Sequence, residues 1–393
     1  MDTKNRNRRR YKNIGAMSQP VQVVFCTDGV YPQLVGGIQK HTRLLVEELA
    51  KTKKINIAVI HQHHEQNVFD ASLNITEIGI KRNKHSSNYL LNEYYYSKQV
   101  YEALKQFPDA IIYAQGMSVW HNIDKIGNRV ILNPHGLEFY QALSFTDKLK
   151  AMPFKFVFGY LFSKAVKVVS LGGRLTQLLR SNIKNHNNKI VVLPNAINLP
   201  SIKFERTAFG QRPLKLLFVG RFAANKGIHV LMDAATQLNN GGYKNEIEFH
   251  LVGKGPLFEH FSTTVKEPNV IFHGFADDDK LNSLYKECDV FVLPTLFEGM
   301  PTVVLEAMSY SLPVIVTDTG ATTVMVDSLN GYIIEKSDVK SLKDAISMYF
   351  VLNEQAKKRM AEQSYIRVKE KFTWPVIAQQ HLELFQQIKE KKT

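Results

Sequence analysis

Short apolar runs rich in β-branched and aromatic residues alternate along this chain with longer stretches whose apolar positions recur every three or four residues. The runs at 21–26, 55–60, 75–80, 110–113, 130–133, 166–170 and 190–193 read as strands, and helices fill most of the gaps. A second series follows, with strands at 214–219, 247–252, 270–273, 290–293, 314–316 and 332–334 and helices beginning near Lys226, Pro256, Asp277, Thr302 and Ser337. Strand and helix in alternation mean a parallel sheet with right-handed crossovers. The pattern predicts an α/β protein of two Rossmann-like domains, residues 21–200 and 201–371, with Pro194-Asn195 and the polar stretch 200–213 between them. Residues 355–389 read as long helices broken at Phe372-Thr373-Trp374-Pro375, which sets 372–393 apart as a final element.

The chain has 393 residues, enough for two full cores. Its 44% hydrophobic and 22% charged content is that of a soluble globular protein. Cys26 and Cys288 are too few for a disulfide framework, and both fall in expected strands, so a reduced, cytoplasmic setting is expected. Net charge is +14, and residues 1–13 hold six Lys or Arg against one Asp. Residues 1–20 are accordingly expected to be a basic disordered tail. No apolar segment follows it, so no signal peptide is expected, and no run of uncharged apolar residues is long enough to span a bilayer. The nearest approach is 152–169, where Lys155, Lys164 and Lys167 interrupt a Phe-rich face. That mixture suits a helix lying on an anionic bilayer and equally one packed on the sheet.

The most informative run is 293–313, LPTLFEGMPTVVLEAMSYSLP. A buried parallel strand ends at Leu293, a loop carries Glu298-Gly299-Met300-Pro301, and a helix is expected from Thr302, which is a good N-cap. Glu298 then sits at a strand's C-terminal end and Glu306 about one turn into the next helix, where doubly wound domains bind ligands and a helix N-terminus suits an anion. Val219-Gly220-Arg221 through Lys226-Gly227 has the same setting. Its glycines let the backbone approach a ligand, and Arg221 and Lys226 add fixed positive charge where a diphosphate would sit. Gly36-Gly37 opens the first helix, and His135 follows a strand in Asn133-Pro134-His135-Gly136. Gly253, in LVGKGPL, and Gly274-Phe275, in HGFA, mark further turns at strand ends. No G-x-G-x-x-G follows the first strand, which argues against a nicotinamide dehydrogenase.

Two acidic or histidine clusters bear on metals. Asp277 to Asp279 holds a D-x-D triplet that is better read as a helix cap. His61, His63 and His64 put two rings on one face of a strand end, a conceivable zinc pair, but no metal site is expected. The tail apart, no basic and aromatic pattern marks a nucleic-acid site.

The E-x-x-x-x-x-x-x-E run with its Leu-Glu-Ala-Met close resembles the signature of the retaining glycosyltransferases of family 4, which have two Rossmann-like domains facing across a cleft, the GT-B fold. Five motifs occur in that family's order from Val21 onward. The resemblance implies a retaining, metal-independent hexosyltransferase with no cofactor, acting on a nucleoside-diphosphate sugar, by family frequency a UDP-sugar, and a last helix that crosses back to the N-terminal domain. Arg221 and Lys226 would neutralise the leaving diphosphate and Gly36-Gly37 would approach it from across the cleft. His135 and Glu298 would hold the sugar, and Glu306 the ribose hydroxyls. Gly253, Gly274 and Phe275 would surround the nucleoside, and Gly299, Met300, Thr302 and Val303 would offer backbone N–H groups, with Pro301 having none to give. Many members carry Phe-Gly where this chain has Met300-Pro301-Thr302, the form familiar from bacterial polysaccharide assembly. The expected acceptor is a glycan or lipid-linked saccharide at the inner face of the membrane, lying against the N-terminal domain. The aromatic segment 89–101 and the Lys/Phe-rich 152–167 motivate that expectation. A nucleotide-sugar epimerase of the same fold, or a non-catalytic nucleotide-sugar-binding protein, are the alternatives.

Overall fold

A computed structural model describes residues 20–141, 144–183, 187–207 and 209–391. The basic segment 1–19 lies outside the described residues, and with it the expectation of a disordered tail. Among the described residues thirteen strands form two sheets. The first contains β1 (Val23–Cys26), β2 (Ile57–His61), β3 (Thr76–Gly79), β4 (Ile111–Gln115), β5 (Val130–Asn133), β6 (Lys167–Ser170) and β7 (Ile190–Val192). The second contains β8 (Leu214–Val219), β9 (Ile247–Val252), β10 (Val270–Gly274), β11 (Val290–Leu293), β12 (Val314–Thr317) and β13 (Gly331–Ile334). Their orders are β3-β2-β1-β4-β5-β6-β7 and β10-β9-β8-β11-β12-β13, every pairing parallel. In each sheet the chain builds outward from one strand, then crosses back and continues on its other side. The switch points lie between β1 and β4 and between β8 and β11, where adjacent loops diverge and leave a crevice.

The helices, with their bounds, are α1 (Gly37–Lys51), α2 (Tyr89–Leu104), α3 (Ile123–Ile126), α4 (Phe145–Lys164), α5 (Gly173–Asn182), α6 (Ile228–Leu238) and α7 (Phe258–Thr264). They continue with α8 (Asp278–Glu287), α9 (Thr302–Ser309), α10 (Thr322–Met325), α11 (Val339–Val351), α12 (Glu354–Lys371) and α13 (Trp374–Glu390). Short polar side chains start several of them. Asn88, Ser144, Asp277, Asp338 and Asn353 each accept a backbone N–H from the first turn. Helix α9 departs from that rule, because Pro301 holds the cap position without a side-chain bond and Thr302 is already helical.

Strand alternation divides the N-terminal core. Val24 and Cys26 pack with Tyr96 and Val100 on one face of the sheet, while Val23 and Phe25 pack on the other with Leu45 of α1 and Phe385 of α13. Helix α13 therefore lies on the first sheet although it follows the second in sequence. Phe385 meets Phe25 at 6.4 Å and Tyr113 at 6.2 Å between ring centroids, and Tyr113 shares a 3.0 Å hydrogen bond with His381. The chain crosses beside the earlier connection, where Ile197 N–H donates to the Phe372 carbonyl at 2.9 Å.

Helix α4 packs part of its Phe-rich face inward. Phe158 is buried and Phe154 is half-buried against Tyr89, at 6.1 Å between rings. Residues 89–101 are likewise only partly available, since Tyr96 is buried with its hydroxyl donating to the Thr27 carbonyl at 2.6 Å.

Removing the Phe385 ring leaves a cavity between α13 and the first sheet. Phe385→Ala is expected to cost about 3–5 kcal/mol in denaturant-induced unfolding, whereas a change below about 1 kcal/mol would mean that α13 does not stabilise that sheet.

Candidate active site

The loops after β8 and β11, neighbours at the second sheet's switch point, are locked together. Gly227 has φ 67°, and a Cβ there would lie 1.8 Å from the Pro294 carbonyl oxygen, so only glycine permits the approach. The Asn225 carbonyl accepts the Leu296 N–H at 2.7 Å and the Thr295 hydroxyl at 2.8 Å. This brings the Lys226 ammonium onto the Glu298 carboxylate, whose Oε1 also takes a 3.2 Å bond from Thr295 Oγ1. Arg221, on the same β8 loop, is exposed and has no side-chain partner among the described residues.

The other turns from the sequence gather around that pair to different extents. Gly253 has φ 129°, and a Cβ there would lie 1.9 Å from the Gly220 carbonyl oxygen, so the turn pins the start of the Arg221 loop. Gly253 N–H also donates to the Gly274 carbonyl at 2.7 Å, which sets Phe275, 78% exposed, at the next position along the rim. Glu306 is enclosed within α9. Burial raises its pKa, while the Lys40 charge and hydroxyl bonds from Tyr285, at 3.3 Å, and Thr302 oppose the rise. Lys40 belongs to α1, one turn after Gly36 and Gly37, so the first helix of one domain brings charge to a carboxylate of the other.

The two domains meet along backbone. A Cβ built at Gly299 would find the Gly136 Cα at 3.8 Å and the His135 carbonyl at 3.9 Å. Gly320, at φ 54°, abuts the Gly299 carbonyl, and Gly173, at φ 53°, abuts the Gly320 carbonyl from the N-terminal side. Arg174 and Asp318 close that wall with an ion pair at 2.5 Å. Asn195 binds Met300 through its backbone N–H to the sulfur at 3.1 Å and its amide to the carbonyl at 3.3 Å. Met300 is thus a buried contact between domains, and Pro301, Thr302 and Val303 follow it into α9.

His135 stands at φ 60° after β5, fixed by its own N–H donating to Asn133 Oδ1 at 2.9 Å. Its Nε2 is bonded to Gln115 Oε1, and its ring meets His41 edge to face at 4.9 Å. His41 in turn touches Trp374 at 5.4 Å, which couples α13 to this corner of the cleft. Burial pushes the His135 pKa down to about 3. The imidazole is neutral at working pH and serves as a hydrogen-bonding group, since a base needs a pKa nearer the operating pH.

Sequence reasoning missed Lys40, Gln115, Thr295, Asn195 and Gly320. Thr295 carried a faint signal, a hydroxyl three residues before Glu298 in a loop already marked as functional. The two metal questions resolve locally. Asp277 Oδ1 caps α8 by accepting the Lys280 N–H at 2.9 Å, His61 pairs with Glu77 at 3.1 Å, and His63 Nε2 accepts the Val30 N–H at 3.1 Å. Among the described residues no group of three or more His, Cys, Asp or Glu could hold a metal ion.

The family model for Glycosyltransferase Family 4 matches residues 35–200, and that for Glycosyl transferases group 1 matches 213–350. This chain is a family 4 glycosyltransferase with the GT-B fold. An uncharacterized glycosyltransferase of Methanocaldococcus jannaschii is 26% identical over 88% of this glycosyltransferase and 93% of its own length. The capsular polysaccharide biosynthesis glycosyltransferase CapM of Staphylococcus aureus is 27% identical over 57% of this chain and 63% of its own. Sucrose-phosphate synthase from Thermosynechococcus elongatus superposes with a TM-score of 0.75 at 18% identity, over 95% of this chain and 100% of that one. Anabaena HepE, solved with UDP-glucose, superposes with a TM-score of 0.64 at 16% identity, over 93% and 99%.

The glycosyltransferase should lose stability in mild acid. Three imidazoles resist protonation in the folded state, His41 held well below the ordinary imidazole value of 6.5, His135 at about 3 and His381 at about 4, all chiefly through burial. Unfolded, each takes up a proton near 6.5, so their contribution is full above that pH and is lost as pH falls toward 4. Each contributes a slope of up to about 1.4 kcal/mol per pH unit. Denaturant midpoints that stay level from pH 7 to pH 5 would contradict the burial of these rings.

Proposed function

We propose that this glycosyltransferase is a retaining, metal-independent hexosyltransferase that moves a sugar from a UDP-sugar to a saccharide or lipid-linked saccharide acceptor in cell-surface polysaccharide assembly. We place it in the cytoplasm, peripheral to the inner face of the membrane. The observation that carries the reading is the Lys226–Glu298 pair at the β8/β11 switch point with Arg221, unpaired among the described residues, on the same loop. A diphosphate entering there would meet two cations and the N-terminal end of α9, which together supply the charge neutralisation that other transferases obtain from a metal. HepE, bound to UDP-glucose, supports the donor class, and CapM, named for capsular polysaccharide biosynthesis, supports the process.

In this reading Lys226 shifts from Glu298 toward the β-phosphate, which frees the carboxylate to accept sugar hydroxyls. Neutral His135 holds the sugar from the opposite domain, and Glu306 accepts from the ribose diol. Gly36-Gly37 and Lys40 border the phosphates across the cleft, while Gly253, Gly274 and Phe275 border the nucleoside. Gly299 to Val303 carry the backbone N–H groups around the α9 entrance. The bond from the anomeric carbon to the phosphate oxygen breaks as the acceptor oxygen bonds to the same face. The acceptor's proton passes to the departing phosphate oxygen, so no protein nucleophile is needed. Closure of the two domains around the donor would keep water from competing.

Glu298→Gln and Lys226→Ala are each expected to lower the rate roughly 10²- to 10³-fold in a transfer assay with UDP-sugars. The product anomer, read by NMR, should keep the donor's configuration. Inversion would overturn the retaining mechanism, and epimer formed from donor alone would replace transfer with epimerisation.

A further inference from the structure

Helix α4 is apolar on two opposite sides. Ala151, Phe158, Leu161 and Phe162 face the core and are buried. On the far side Phe145, Leu149, Met152, Phe156 and Tyr160 recur at helical spacing and are between 40% and 82% exposed. Isolated exposed apolar residues are ordinary, but a continuous stripe from Phe145 to Tyr160 along one side of a 20-residue helix marks a surface that something covers.

Charge narrows the choice of occupant. Residues 139–200 contain nine Lys or Arg and a single acid, Asp147, which accepts a 2.6 Å bond from the helix-capping Ser144. Lys148 and Lys150 stand exposed along the same helix, and the Lys155 and Lys164 ammoniums lie over the Tyr140 and Tyr160 rings, each at 5.7 Å. Basic charge continues past the end of α4. Burial and the Lys164 charge lower the Lys189 pKa, and burial and the Lys391 charge lower that of Lys167. A helix with large apolar side chains along its outer face and lysines beside them matches a lipid surface, with acyl chains for the rings and anionic headgroups for the ammoniums.

We propose that the outer face of α4 lies on an anionic bilayer, with Phe145, Leu149, Met152, Phe156 and Tyr160 entering the headgroup boundary and Lys148, Lys150, Lys155 and Lys164 meeting lipid phosphates. This rests on the peripheral placement proposed above and deepens it by naming the contact surface, and it requires no donor. Phe154 and Phe158, on the inward side, take no part in it.

The test is flotation of the full chain, without nucleotide sugar, on phosphatidylcholine vesicles with and without phosphatidylglycerol at low salt. The expected result is binding to anionic vesicles only, weakened roughly tenfold or more in Leu149→Glu/Phe156→Glu. Both positions are exposed, so the variant should melt as the wild type does. Should it melt lower, a Phe156→Trp protein reports instead, with its emission expected to shift to the blue on anionic vesicles and not on neutral ones. The proposal is overturned by absent flotation, by equal flotation on neutral lipid, by wild-type flotation of the folded double variant, or by an unshifted tryptophan. A dimer that the double substitution dissolves, with no vesicle binding, would assign the stripe to a second copy and equally overturn it.

Discussion

The ion pair between Lys226 and Glu298 is the fixed point of the candidate site. It exists because two loops leaving adjacent strands are held at van der Waals contact by Gly227 against the Pro294 carbonyl, with Asn225 accepting from both Leu296 and Thr295. From that junction the contact spreads outward by backbone packing. The Glu298-Gly299 carbonyls abut Gly320, Gly320 abuts Gly173, and Gly299 faces Gly136. At Gly320 and Gly173 a side chain would run into backbone, so this part of the wall is held by main-chain packing.

A like-for-like logic governs the charged groups. Glu298 is paired before any ligand arrives, so its charge costs little while the site is empty, and an incoming phosphate can take over the lysine. Glu306 instead leans on Lys40 from the opposite domain, which ties its ionisation to how closely the domains approach. His135 is kept neutral by burial and fixed by Asn133 and Gln115. One cationic residue, Arg221, is left with no counter-charge among the described residues, at the mouth of the same crevice.

Much of this was legible in the chain. Parallel strands buried on both faces are short continuous apolar runs, and all thirteen stand where such runs occur, within one or two residues. Polar caps such as Asp277 likewise marked helix starts. Thr302 did not follow, because its hydroxyl serves Glu306 within the helix and leaves the cap to Pro301. Contacts between domains were illegible, since Lys40 to Glu306 and Asn195 to Met300 join positions with no shared periodicity. The outer stripe of α4 was illegible for a related reason. Two apolar faces on opposite sides of one helix cancel the single-face pattern by which orientation is inferred, and only the packing of Phe158 and Phe162 settles which side looks outward.

The central claim is that Arg221 and Lys226 together receive a nucleoside diphosphate. Calorimetric titration of UDP into the wild type and into a folded Arg221→Ala/Lys226→Ala protein tests it most directly. Loss of two charge-assisted contacts should weaken binding roughly 100-fold or more. UDP binding of unchanged affinity in the double variant would contradict the account.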